Sequence, residues 1–247
     1  PASRQCNGNL IVNGTVALNA ANQPLTVVGN CNITATTGTL SLGTSNQPVQ
    51  VNGNVNLDGT LTLSTTSGGD IKLGGNWNFT VGGTLNGNGR AVFFNGSAVQ
   101  TITRSAAGAL NFDYILNQNT SGGIKQASGT NININGATNG LQLQGTGTGA
   151  SWDLNGNTMT IATNTNIALT GSQAFASSNG SATLAISGGT SNVNSGTGLS
   201  FGSNVTVALN GGFNFGSSLS TFNSGSVMQI NAGGFVNTNA PIYASGS

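Results

Sequence analysis

The sequence predicts an all-β fold: a single-stranded parallel β-helix, three-sided and of about ten to eleven coils. Three observations carry that prediction. Apolar and polar residues alternate in short runs, "TVALN", "TLSLG", "TLTLS", "NININ" and "TMTIA", which is the period of a half-buried strand. The same residues return about every 21 to 25 positions, a period that signals stacked units unable to bury a core face alone. Gly, Asn, Thr and Ser interrupt every stretch, so no segment keeps helical spacing over three turns.

The repeat is clearest over the first hundred residues. Gly14-Thr15, Gly38-Thr39, Gly59-Thr60 and Gly83-Thr84 fall in one column, and Gly29-Asn30, Gly53-Asn54 and Gly75-Asn76 in another. Each coil then holds three short strands whose inward residues stack along the rod. Val16, Leu40, Leu61 and Leu85 form one predicted inward column. Leu25, Val49, Ile71 and Val92 form a second, and Cys6, Cys31, Val55 and Trp77 a third. Near the C-terminus, Gly188-Gly189, Gly211-Gly212 and Gly233-Gly234 recur, and Phe213 and Phe235 behind them read as a core column. Asn and Gly at the corners tolerate the positive φ that sharp bends need, and repeated Asn can ladder amide hydrogen bonds. The domain organisation expected is one continuous solenoid over 1–247. It has regular coils over 1–96, less regular ones over 97–170 and C-terminal coils over 171–247. A stack of this size spans roughly 50 Å at ~4.8 Å per strand.

Composition narrows the function classes. Of 247 residues only 4% are charged, the formal net charge is +1 and there is no His. With 36% hydrophobic residues the chain lacks the low-hydrophobicity, high-charge signature of disorder. No apolar run approaches the ~20 residues of a membrane-spanning helix. The strands are shorter than the ~10 residues of a transmembrane barrel, and aromatics amount to 6%.

The acidic residues are Asp58, Asp70, Asp113 and Asp153, spread over separate corners or coils. Without His or Glu there is little material for general acid–base catalysis or for activating a serine. No catalytic residue, cofactor or metal ligand set is expected, and the chain reads as non-enzymatic. Five dispersed cations (Arg4, Lys72, Arg90, Arg104, Lys125) make no basic stripe for nucleic acid.

If Cys6 and Cys31 share a column, their Cα separation of ~4.8 Å lies within the roughly 4.4–6.8 Å that a disulfide needs. A bridge clamping the first two coils is the expectation, with two buried free thiols as the alternative. That expectation presumes export, with a signal peptide removed ahead of Pro1.

Residues 92–124, "VFFNGSAVQTITRSAAGALNFDYILNQNTSGGI", carry a resemblance. Phe94-Asn95-Gly96, then Gln100-Thr101-Ile102, then a strand around Phe112, is similar to a segment recurring in large secreted surface proteins of Bacteroidota type. "WDLNGNTMTIA" at 152–162 extends the likeness weakly, and the flanking coils resemble filamentous-haemagglutinin-type β-helix. The resemblance implies a right-handed β-helix on a cell surface, acting as an adhesin, stalk or fibre.

The expected function is therefore a structural segment of an extracellular filament, stalk or adhesin. Its expected partners are copies of itself stacked head to tail, and surface glycans. A solenoid without caps leaves strand edges free at its ends. The contact residues expected are Pro1, Ala2, Ser3, Arg4 and Gln5 at one end, and Ala240, Pro241, Ile242 and Tyr243 at the other. Two further readings concern the side faces. The Thr15, Thr39, Thr60 and Thr84 column resembles the threonine array of β-solenoid ice binders. An outward Phe93 would suit a carbohydrate binder.

Overall fold

The computed structural model describes residues 3–18, 23–35, 37–147, 151–194, 198–216 and 220–246. Among them are 32 strands and no helix. The strands wind into a parallel β-solenoid of about ten turns. Two faces are unbroken stacks of 11 strands. The first runs from Arg4–Cys6 to Phe235–Val236, the second from Leu10–Val12 to Ile242–Tyr243. The third face is split. Four strands run from Thr15–Ala17 to Thr84–Asn86, and six run from Ala109–Phe112 to Val227–Ile230.

The alternation read from sequence sets the faces. Val16 pairs in register with Leu40, Leu40 with Leu61, and Leu61 with Leu85. Leu25, Val49, Ile71 and Val92 follow one another in the same way. From the second coil on, these inward positions are almost all sealed from solvent. Each fully buried aliphatic stabilises by about 1.5–3 kcal/mol, so the core is built coil by coil rather than around one centre.

The Gly-Asn column has a specific geometry. Asn30 N donates to Asn9 Oδ1, Asn54 N to Asn30 Oδ1 and Asn76 N to Asn54 Oδ1, each at 2.8 Å. The glycine before each donor is what leaves room for that carbonyl oxygen: a Cβ on Gly53 would lie 2.4 Å from Asn30 Oδ1. An amide ladder of the kind expected from sequence lies elsewhere, on the outward face. There Asn56 Nδ2 donates to Asn32 Oδ1, and Asn78 Nδ2 to Asn56 Oδ1. Beyond the early coils Asn takes a second role. Asn88, Asn139, Asn155, Asn164, Asn204 and Asn239 all have φ between 51° and 64°, the left-handed conformation that Asn tolerates better than other side chains.

Two sequence expectations fail. Cys6 and Cys31 do not share a column. Cys6 pairs with Val27 on the first face, whereas Cys31 lies on the second face between Leu10 and Val55. Both are free thiols. The cause is that the first coil starts one face earlier than a Cys-to-Cys alignment implies, since Gly8-Asn9 is the first member of the Gly-Asn column. Phe213 and Phe235 are also out of register. Phe213 is fully buried and pairs with Val236, while Phe235 pairs with Gly212 and is half exposed. Gly212 makes that offset possible, because a Cβ there would meet the Phe235 ring at 2.7 Å.

The thiols are nonetheless unequal. Burial, with a smaller contribution from the nearby Cys6, pushes the Cys31 thiol up from 9.0 to about 12. Its folded-state value lies above its unfolded value. Its contribution to stability is therefore complete below pH 9 and is lost as pH rises toward 12. At pH 8 a disulfide reagent should label Cys6, which is half-buried in the first coil, within minutes. Cys31 should react only after denaturant is added. Equal, rapid labelling of both would contradict this placement.

Candidate functional site

Four places answer the residues singled out from sequence: the aspartates, the segment 92–124, the outward side faces and the two ends. The aspartates work as corner fasteners. Asp58 accepts from the Thr80 hydroxyl, Asp70 Oδ1 from Ala91 N at 2.9 Å, and Asp113 Oδ2 from Gly89 N at 2.7 Å. Asp153 Oδ1 accepts from Asn155 N and Ser178 N, both at 2.9 Å, and Oδ2 lies 3.5 Å from Lys125 Nζ. Burial alone would raise the Asp153 carboxyl. The hydrogen bonds from Ser178 and Asn155, with the Lys125 charge, overcome it and hold the group below its ordinary value. Among the described residues no three His, Cys, Asp or Glu side chains gather into a metal-binding group. No helix there is long and apolar enough to cross a membrane.

The segment 92–124 folds as one interlocked unit. Gln100 stands on the second face with its amide buried. Its Oε1 accepts from Gly96 N at 2.8 Å and Asn119 Nδ2 at 3.1 Å. Its Nε2 donates to Leu73 O and Gly75 O at 2.9 and 2.6 Å. The Phe-Asn-Gly turn is thus tied to the glutamine that follows it and to the coil before. Asn119 continues the device: its Oδ1 accepts from the backbone of Ser121, Gly122 and Gly123. Beside these amides, Asn117, Asn119 and Ser151 help line a void of about 10 Å³, room for about one water. Phe112 meets Trp77 edge to face, with ring centroids 5.7 Å apart. A third buried amide, Gln126, accepts from Trp152 Nε1 at 2.9 Å.

On the side faces, Phe93 projects outward as expected, but Lys72 Nζ sits 4.9 Å from its ring centre and covers one side. The threonine file is in register, Thr15 on Thr39 on Thr60 on Thr84. The parallel file reads Ala17, Ser41, Thr62 and Asn86, and the Asn86 amide donates to the Thr62 hydroxyl.

Compared with family models, curated proteins and solved structures, the chain matches none.

At the ends, Pro1 and Ala2 lie outside the described residues. Ser3 is exposed, and Arg4 and Gln5 form the edge of the first face. Arg4 takes the inward position above Leu25, its Nε buried and without a partner among the described residues. At the other end Ala240, Ile242 and Tyr243 are exposed, whereas Pro241 is buried. Tyr243 stacks on Phe222 at 5.4 Å between centroids, with its outer face open. Sequence reasoning missed Ile230 and placed Phe235 in the core; both belong to the same end. Ile230 continues the inward file of Ile161, Ile186 and Leu209 yet is 54% exposed.

Proposed function

We propose that the chain is a structural, non-enzymatic segment of an extracellular filament, stalk or cell-surface adhesin. It would be of the bacterial β-helix surface-protein type that residues 92–124 resemble, and would stack on copies of itself end to end. The observation that carries the reading is the uninterrupted solenoid itself, two stacks of 11 parallel strands that a further coil would extend. Ile230 and Tyr243 sit in the core register but are about half exposed, 54% and 49%. Val227–Ile230, Phe235–Val236 and Ile242–Tyr243 each end their sheet. A coil laid there would bury the apolar layer and pair the strand edges. The first coil of a second copy offers the complement, with Leu10, Val16 and Leu18 only partly covered. Low charge removes the repulsion that would oppose such stacking.

Negative-stain microscopy and sedimentation at micromolar concentration test this. The chain should form rods with an axial repeat of roughly 50 Å, and Ile230→Lys should return it to single short rods without lowering its melting temperature by more than a few degrees. Monomers for both proteins up to high concentration would sink the stacking arrangement.

A second reading has one observation in its favour, the in-register threonine file. If that face binds ice, micromolar protein should produce thermal hysteresis and Thr39→Tyr should abolish it.

A further inference from the structure

The break in the third face makes a second kind of site, distinct from the ends. Thr84–Asn86 is the last strand of one sheet and Ala109–Phe112 the first of the next. Between them lies a cleft of about 180 Å³, lined by Phe79, Gly83, Thr84, Leu85, Arg104, Leu110 and Asn111. Its size is below the ~300–1,000 Å³ of sites for drug-sized ligands, so it would accept one small unit of a larger molecule. Arg104 decides its chemistry. It follows Leu57 and Phe79 in an inward file, taking a place that the two preceding coils fill with apolar residues. The guanidinium lies 5.1 Å from the Phe79 ring centre. Nε donates to Ala106 O at 3.2 Å and Nη1 to Ala109 O at 2.9 Å. Nη2 has no hydrogen-bond partner among the described residues, and no acidic side chain lines the cleft. The cation is therefore held rigidly, partly shielded from water and without a counter-charge.

We infer that this cleft binds the carboxylate of an acidic sugar residue, a uronate unit of an extracellular polysaccharide. A carboxylate would accept from the free Nη2 hydrogens, a charge-assisted bond of the stronger class. The Thr84 hydroxyl and Asn111 amide, both on exposed residues at the rim, supply donors and acceptors for ring hydroxyls. Leu85 offers an apolar surface for the C–H face of the ring. A peptide strand fits less well. To complete the sheet it would need the Ala109 carbonyl, and Arg104 already occupies it. The inference does not depend on end-to-end stacking, since the cleft lies on the side of the rod.

The test is titration of the whole chain with tetragalacturonate, a neutral tetrasaccharide and an acidic tetrapeptide, followed by backbone NMR. The acidic sugar alone should bind, in the millimolar range or tighter, and shift the Thr84, Leu85 and Asn111 amides. Asn111→Asp is the informative variant. Asn111 Oδ1 accepts from Asn133 Nδ2 at 2.9 Å, and an aspartate oxygen preserves that bond while placing a competing carboxylate beside Arg104. It should weaken binding at least about tenfold, the scale of one charge-assisted bond, with an unchanged circular dichroism spectrum and melting temperature. Arg104→Gln should do the same. Equal binding of the neutral sugar, preferential binding of the peptide, shifts away from the cleft, or no effect of Asn111→Asp would each overturn the assignment.

Discussion

Replacing Gln100 with leucine is expected to cost about 2–6 kcal/mol of unfolding free energy, read as a shift in the urea midpoint at constant slope. Leucine has nearly the size of glutamine, so the cavity contribution is small. The cost comes from the groups left behind. Leu73 O still accepts from Asn95 N at 3.0 Å, and Asn119 Nδ2 still donates to Ala98 O. Gly96 N and Gly75 O have no replacement among the described bonds, and each buried unsatisfied group costs about 1–3 kcal/mol. Gln100→Glu separates this from simple packing. A carboxylate there would face Leu73 O and Gly75 O, two acceptors, and only its protonated form can donate. Its folded-state pKa should therefore lie above the unfolded ~4.3. Its stability should be greatest below that value and fall as pH rises through the folded pKa. A Gln100→Glu variant whose stability is flat from pH 4 to 8 would show that the amide is not held by these carbonyls.

Much of this architecture was legible because a solenoid writes its geometry in one dimension. The columns through Val16 and Leu25 came directly from alternation plus period, and the glycine columns marked the corners. The failures have equally local causes. Cys6 escapes a sequence reading because its chemical likeness to Cys31 suggests a shared column, whereas the Gly8-Asn9 corner pair determines which face it occupies. Phe235 was misplaced because its spacing from a Gly-Gly pair does not reveal which glycine joins the strand. The middle coils looked irregular because Gln100, Asn119 and Gln126 take buried positions normally filled by apolar residues. Their partners are backbone groups 21 to 32 residues away in neighbouring coils or a few residues along the chain. A pattern of side-chain polarity cannot display those partners. Arg104 escaped for the same reason. As a lone cation it reads as surface, and only its register with the buried Phe79 shows it turned inward.

Phe201→Ala should produce the largest core defect, about 3–5 kcal/mol, and should produce it locally. The Phe201 ring contacts Phe175 at 6.2 Å, Phe215 at 6.3 Å and Phe222 at 4.7 Å between centroids. Phe213 and Phe215 lie 4.8 Å apart beside it. This aromatic block replaces the aliphatic files of the earlier coils, so its removal leaves a void that the stiff ladders cannot close. Coils in a solenoid touch only their neighbours, and stability is a sum of unit and interface contributions. The variant should therefore unfold in two steps, the C-terminal coils first. Cys31, buried in the second coil, provides an independent reporter. Its thiol should stay unreactive through the first transition and become labelled only in the second. Simultaneous loss of the C-terminal signal and of Cys31 protection would mean that the rod unfolds as one cooperative body. In that case an end contact made by Ile230 and Tyr243 would stabilise the whole molecule rather than its last coils alone.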